Sequence, residues 1–92
     1  MYIVYVIQHS ITKKLYIGQT SNLRQRLLSH NSGNNSSTKR SAGEWILVYA
    51  EAYRDKTDAI TRESRLKHHG SSKHELVKRI NKSLIETKSE AG

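Results

Sequence analysis

Two tyrosines eleven positions apart, Tyr5 and Tyr16, are followed by Arg26 and, four residues on, by His30, while a lone carboxylate, Glu63, stands much further along the chain. Each of these side chains ends in a group that phosphate chemistry uses. Arg26 can grip a phosphate with two donors and offset charge that develops during phosphoryl transfer. His30 can donate to the same phosphate or accept from it. Glu63 is the only acid between residues 59 and 74, and Arg62, Arg65 and Lys67 surround it. A carboxylate held among bases at the edge of a cleft suits Mg²⁺ or Mn²⁺ bridging to a substrate phosphate, because Mg²⁺ keeps several waters and takes one or two protein carboxylates. Each residue also has a plainer reading: half-buried sheet tyrosines, a solvated arginine, an exposed histidine, and a surface pair of Glu63 with Lys67 four residues on. What sets them apart is their coincidence.

The elements that would position them follow from residue types. Residues 2–8, Tyr-Ile-Val-Tyr-Val-Ile-Gln, are dense in β-branched and aromatic side chains and predict a buried strand. A polar turn at residues 10–14 leads to a second strand, Leu15–Gly18, which makes residues 2–18 a hairpin. Alternation places Tyr5 with Ile3 and Ile7 on one face and Tyr2 with Val4 on the other, and Gly18 is expected to end the strand in a sharp turn. Thr20 or Ser21 is the expected cap of a first helix with Leu23, Leu27 and Leu28 facing inward; Arg26 and His30 then share one side of it.

Residues 31–43 form a long Asn, Ser and Gly-rich loop carrying Lys39 and Arg40, and a loop of that length in a small domain is commonly functional or disordered. Residues 45–51, from Trp45 to Glu51, predict a third strand. Residues 57–69 predict a second helix, with Ala59, Ile60, Glu63, Leu66 and Lys67 at helical spacing, Glu63 leaning toward the sheet in phase with Ile60, and Gly70 as its stop. Ser72 and Glu75 have the spacing of a capping box for a last helix that buries Leu76, Val77, Ile80 and Leu84. The expected fold is α+β, a small three-stranded antiparallel sheet flanked by three helices in the order β-β-α-β-α-α. One domain over residues 1–85 is expected, with a polar frayed tail at 86–92.

Composition narrows the class. A chain of 92 residues, 35% apolar, supports one small core, and without cysteine it has neither disulfides nor thiolate metal sites. His9, His68, His69 and His74 lack the spacing of a metal cluster. No apolar run reaches membrane-spanning length and no signal-peptide layout opens the chain, so a cytoplasmic protein is expected. Sixteen Lys and Arg against eight Asp and Glu give a net charge of +8. A field of that sign concentrates polyanions, which makes nucleic acid the default partner and Lys13, Lys14, Arg24, Lys39, Arg40 and Lys67 candidate phosphate contacts.

Taken in order, Ile3-Val4-Tyr5, Tyr16-Ile17-Gly18, Arg26, His30 and Glu63 resemble the GIY-YIG nuclease domain. Tyr16-Ile17-Gly18 matches the second family tripeptide outright, and residues 21–31 look like its first helix with the family arginine at Arg26. The run Leu47-Val48-Tyr49-x-Glu51 and then Ala59-x-x-Arg62-Glu63-x-x-Leu66-Lys67 is similar to the third strand and metal-bearing helix. The likeness covers residues 1–80 and fits the short bacterial branch related to the nuclease domain of excision-repair endonucleases. Ile3 departs from the glycine of the first motif, and Asn81 is a poor match for the C-terminal asparagine of some homing and restriction members.

The resemblance implies a divalent-metal-dependent endonuclease that hydrolyses DNA, structured or branched forms included, in repair or recombination. Glu63 would anchor Mg²⁺ or Mn²⁺, Arg26 and His30 would hold the scissile phosphate, and Tyr5 or Tyr16 would orient or deprotonate the attacking water. A phenol with its ordinary pKa near 10 is a weak base at neutral pH, so neighbouring cations would have to favour the phenolate. The other reading is a nucleic-acid-binding module of the same fold with little catalysis of its own. In either case a partner protein could supply targeting.

Overall fold

The computed structural model describes residues 1–32 and 42–85. Lys39, Arg40 and the tail from residue 86 lie outside that range. Three strands, β1 (Tyr2–His9), β2 (Leu15–Thr20) and β3 (Trp45–Tyr53), form one antiparallel sheet in the order β2-β1-β3. Helix α1 (Leu23–Ser32) connects β2 to β3, and α2 (Lys56–His68), α3 (Gly70–Arg79) and a short 3₁₀ turn at Asn81–Ser83 follow. The expected α+β architecture and element order are present. No helix among the described residues is long and apolar enough to cross a membrane.

The central strand β1 explains its own unbroken apolar run, for Val4, Tyr5, Val6 and Ile7 are all at most 1% exposed and both faces are covered. On one face Val4 and Val6 join Ile17, Ala59, Leu66, Leu76 and Ile80 in the core, so α2 and α3 pack there. On the other face Tyr5 meets α1 through His30. A register shift between Val6 and Ile7 lets β3 follow the twist of its neighbour, as a bulge does. At the far end of β1, buried Gln8 ties two segments together: its Nε2 donates to the Lys13 carbonyl and its Oε1 accepts from the Ile85 amide at 2.7 Å.

Local chemistry differs from expectation at the helix ends. Asn22, rather than Thr20 or Ser21, caps α1, its Oδ1 accepting from the Gln25 amide at 3.1 Å, while Thr20 Oγ1 holds the Asn22 amide. Asp55 caps α2 through the Thr57 amide. The Ser72-Glu75 pair does not begin α3. The chain breaks at His69, which has extended backbone, and Gly70 is the first helical residue of α3 rather than the stop of α2. The inward stripe of α1 is Leu23, Leu27 and His30, and Leu28 is 63% exposed. In α2 the buried positions are Ala59 and Leu66, seven apart, and Ile60 faces outward at 46% exposure.

Gly18 has a different role from the turn expected of it. It lies inside β2 opposite Tyr5, and the Tyr5 ring crosses directly over it. A Cβ there would stand 2.6 Å from Tyr5 Cζ and closer still to the hydroxyl, a separation real side chains do not adopt. Gly18→Ala should therefore cost about 1–3 kcal/mol by overpacking. Gly70→Ala, with nothing within 4 Å of the added carbon, should be neutral or gain up to ~1 kcal/mol. Denaturant unfolding of the two variants against the parent checks both.

Candidate active site

Strand pairing sets the first two members. Tyr5 pairs with Gly18 and Ile7 with Tyr16, so both tyrosines occupy the α1-facing side of the β1–β2 hairpin. Helix α1 brings His30 down onto them. The Tyr5 hydroxyl lies 2.8 Å from His30 Nε2, and the His30 ring meets the Tyr16 ring edge-on at 5.0 Å between centroids. The aromatic contacts continue from Tyr16 to Trp45 and from Trp45 to His9. His30 is 0% exposed, so its plainer reading as a surface histidine does not hold, and it is the innermost side chain of its helix.

Arg26, one turn before His30, remains exposed, and its charge acts on the Tyr5 phenol. A neutral imidazole can accept the phenolic proton at Nε2 or, in its other tautomer, donate to the phenol. Both causes of its shift favour that neutral form: burial first, then the nearby Arg26 charge, hold the His30 pKa below its ordinary value. Burial and the Tyr16 phenol push Tyr5 up to about 12 against the opposing charge of Arg26. The neighbouring cation does not make Tyr5 a phenolate, contrary to expectation. Desolvation outweighs it.

Glu63 reaches the group from α2. It is near enough to Tyr5 to act on its charge, and its Oε2 lies 3.0 Å from Lys67 Nζ, which also sits 5.7 Å over the Tyr16 ring. Thus Tyr5, Tyr16, Arg26, His30 and Glu63 do converge, with Lys67 as a sixth member. The surface pairing of Glu63 with Lys67 is real as well, and it forms part of the site. Among the described residues no three His, Cys, Asp or Glu side chains gather as a metal cage. A lone half-buried carboxylate facing phenols and an arginine suits a hard cation that draws its remaining ligands from water and phosphate. It does not suit a metal that needs several protein donors.

Two supporting contacts escaped the sequence. Both oxygens of Glu51 are used, one by Arg62 Nε at 2.6 Å and one by the Tyr49 hydroxyl at 3.0 Å. Arg62 is adjacent to Glu63, so this brace fixes α2 against β3 at the residue where its position matters. The Asn31 side chain pairs with the Trp45 backbone in both directions, Nδ2 to the carbonyl at 3.0 Å and the amide to Oδ1 at 2.7 Å, which ties the end of α1 to the start of β3. No periodicity announces either contact, because each joins residues from different elements.

The other candidates disperse. Lys13 has a positive φ of 66° in the hairpin turn and its amine bonds the Ser10 carbonyl of the same turn, so it is a turn residue. Lys14 and Arg24 are exposed. His9 is structural, its Nδ1 accepting from the Ile11 and Thr12 amides, and the exposed His68 donates back to the Ser64 carbonyl of its own helix.

Residues 1–81 match the family model described as the GIY-YIG catalytic domain. The chain belongs to the GIY-YIG family. Among curated relatives it is similar to a UPF0213 protein of Staphylococcus haemolyticus, 31% identical over 64 residues that make up 70% of this chain and 77% of that one. A UPF0213 protein of Streptococcus pneumoniae is 38% identical over 52 residues, 56% of this chain and about half, 52%, of its own. The solution NMR structure of a UPF0213 protein from Bacillus halodurans superposes with a TM-score of 0.53 at 29% identity, covering 85% of this chain and 84% of that one. The GIY-YIG family is a nuclease-type fold, and the converging residues are those by which the sequence resembled it.

The buried pair has a signature in stability. His30, with its pKa lowered on folding, contributes stability that is full above about pH 6.5 and is lost as pH falls below it. Tyr5, raised from 10.0 to about 12, contributes stability that is full below pH 10 and is lost as pH rises toward 12. That loss approaches about 3 kcal/mol at its limit. In denaturant titrations across pH, Tyr5→Phe should show a shallower alkaline decline, with Tyr49 and Tyr53 keeping theirs, and His30→Gln should lose the part of the decline that sets in as pH falls below about 6.5.

Proposed function

We propose that this chain is a divalent-metal-dependent endonuclease acting on DNA. The observation that carries the reading is the meeting of Tyr5, Tyr16, Arg26, His30 and Glu63, drawn from four elements, around one spot on a protein of charge +8. Glu63 would hold Mg²⁺ or Mn²⁺, which when bound supplies Lewis-acid stabilisation to the departing 3′ oxygen. Arg26, exposed beside Tyr5, grips the scissile phosphate and offsets its added charge.

The neutral His30 and Tyr5 act together as a fixed dipole pair beneath that phosphate. Their burial removes any need to reorganise as charge develops. With Tyr5 held protonated, Tyr16 is the phenol left to orient the attacking water and relay its proton. Repair and recombination are the cellular settings the family resemblance favours. The exposed Lys14 and Arg24, with Lys39 and Arg40 outside the described residues, would contact flanking phosphates.

The test is a cleavage assay on labelled single-stranded, duplex, flapped and branched DNA in Mg²⁺, Mn²⁺ or EDTA. Metal-dependent cutting is expected, abolished in Glu63→Ala with DNA binding largely kept, and reduced about 10²–10³-fold in kcat by Arg26→Ala. Salt-sensitive binding with no cutting by any form would instead make this a nucleic-acid-binding module.

A further inference from the structure

Lys67 stands in the way of the ion that Glu63 would hold. Its ammonium is 3.0 Å from the carboxylate oxygen and lies over the Tyr16 ring at 5.7 Å. An ordinary surface pair four residues apart on a helix has solvent on its remaining sides. This one is bounded by an aromatic face on one side and a carboxylate that is only 22% exposed on the other. The ammonium thus has two anchors inside the proposed site, and the carboxylate it neutralises is that site's lone acid among the described residues.

One carboxylate oxygen cannot fully serve an ammonium and a divalent cation together. A unit and a divalent positive charge about 5 Å apart weaken each other's binding roughly tenfold even in a water-like dielectric. Lysine is suited to leave: its charge is a compact point on a four-carbon stem with three rotatable donors, so the amine can swing to another anion. The anion that arrives with substrate is a DNA phosphate.

Resting on the reading of Glu63 as the metal ligand, we infer that Lys67 is a resident counter-ion that holds this carboxylate in the free protein and passes to a DNA phosphate when substrate binds. Nucleic acid thereby frees the site for the metal. Linkage makes the effect reciprocal, so metal strengthens DNA binding by the same factor. The free protein binds metal weakly, and the loaded site assembles on substrate.

Mn²⁺ titration of the full chain, followed by the EPR signal of free Mn²⁺, tests this without reference to cleavage. Without nucleic acid, Lys67→Met should bind Mn²⁺ about threefold to tenfold tighter than the parent. Lys67→Arg, which keeps the pair, should match the parent. Adding a short duplex, with the Mn²⁺ taken up by DNA alone subtracted, should tighten binding to the parent more than to Lys67→Met. Unchanged affinity in Lys67→Met, or equal enhancement by DNA in both proteins, would overturn the inference while leaving Glu63 as ligand. Failure of the underlying reading looks different: Lys67→Met and Lys67→Met/Glu63→Gln would bind Mn²⁺ equally, or neither would bind it, and both readings would then fall together.

Discussion

The hydrogen bond between Tyr5 and His30 is the contact on which the site geometry depends. It joins the central strand to α1 on the face that α2 and α3 leave uncovered, and it does so with two polar side chains that are both essentially buried. Such a pair is costly when incomplete and strongly specifying when complete, because a buried donor without its acceptor loses the full energy of desolvation. A register slip of one residue in β1 would carry Tyr5 to the opposite face. A rotation of α1 would expose His30. The pair therefore fixes strand register and helix rotation together, and Arg26, one turn along the same helix, is placed as a consequence. Gly18 is the permissive half of this arrangement, since the ring can reach His30 only where the neighbouring strand has no Cβ.

Helix α2 is positioned by a different logic. Ala59 and Leu66 give it a narrow apolar seam against Val4, Val6 and Ile17, which sets its distance from the sheet but constrains its rotation weakly. The ion pair of Arg62 with Glu51 supplies the rest: both carboxylate oxygens are occupied and it pairs across elements, so it serves as a brace. The pair of Glu63 with Lys67 on the adjacent residue lies within the helix and is more open on its lysine side. Consecutive residues thus divide the labour, one fixing the helix and the other remaining free to exchange its partner.

Much of this was legible in the sequence, for reasons that differ by element. The strands could be read because β1 is buried on both faces and so carries an unbroken run of β-branched and aromatic residues. The order of elements could be read from strand and helix periods, and the set Tyr5, Tyr16, Arg26, His30 and Glu63 from its resemblance to the GIY-YIG domain. The misreadings share a cause: each treated a residue by its local habit when a distant contact decided its role. Gly18 looked like a turn, yet the Tyr5 ring above it sets its identity. Leu28 and Ile60 looked like core by phase, but His30 takes the inward place in α1 and Ala59 in α2. The cap and stop residues were misplaced by one to three positions because Asn22 and His69, not their better-known neighbours, hold the backbone there. Of the two tyrosines that were candidates for the phenolate, Tyr5 stays protonated because burial, which sequence does not report, exceeds the pull of Arg26.

A site with a single carboxylate on a cationic protein has a further consequence. Every positive side chain that favours DNA opposes a metal ion at the same spot, and Glu63 alone cannot offset both Arg26 and Lys67. With several acids the free protein could bind metal firmly, but the same charges would repel the phosphate. The arrangement seen here leaves that balance to the substrate, whose phosphates bring the missing negative charge. Neutral, buried Tyr5 and His30 fit the same economy: they add hydrogen-bonding direction without adding charge of either sign, so the local field changes only when DNA enters. The net charge that draws in nucleic acid and the poverty of acids around Glu63 are, on this view, two aspects of one electrostatic design.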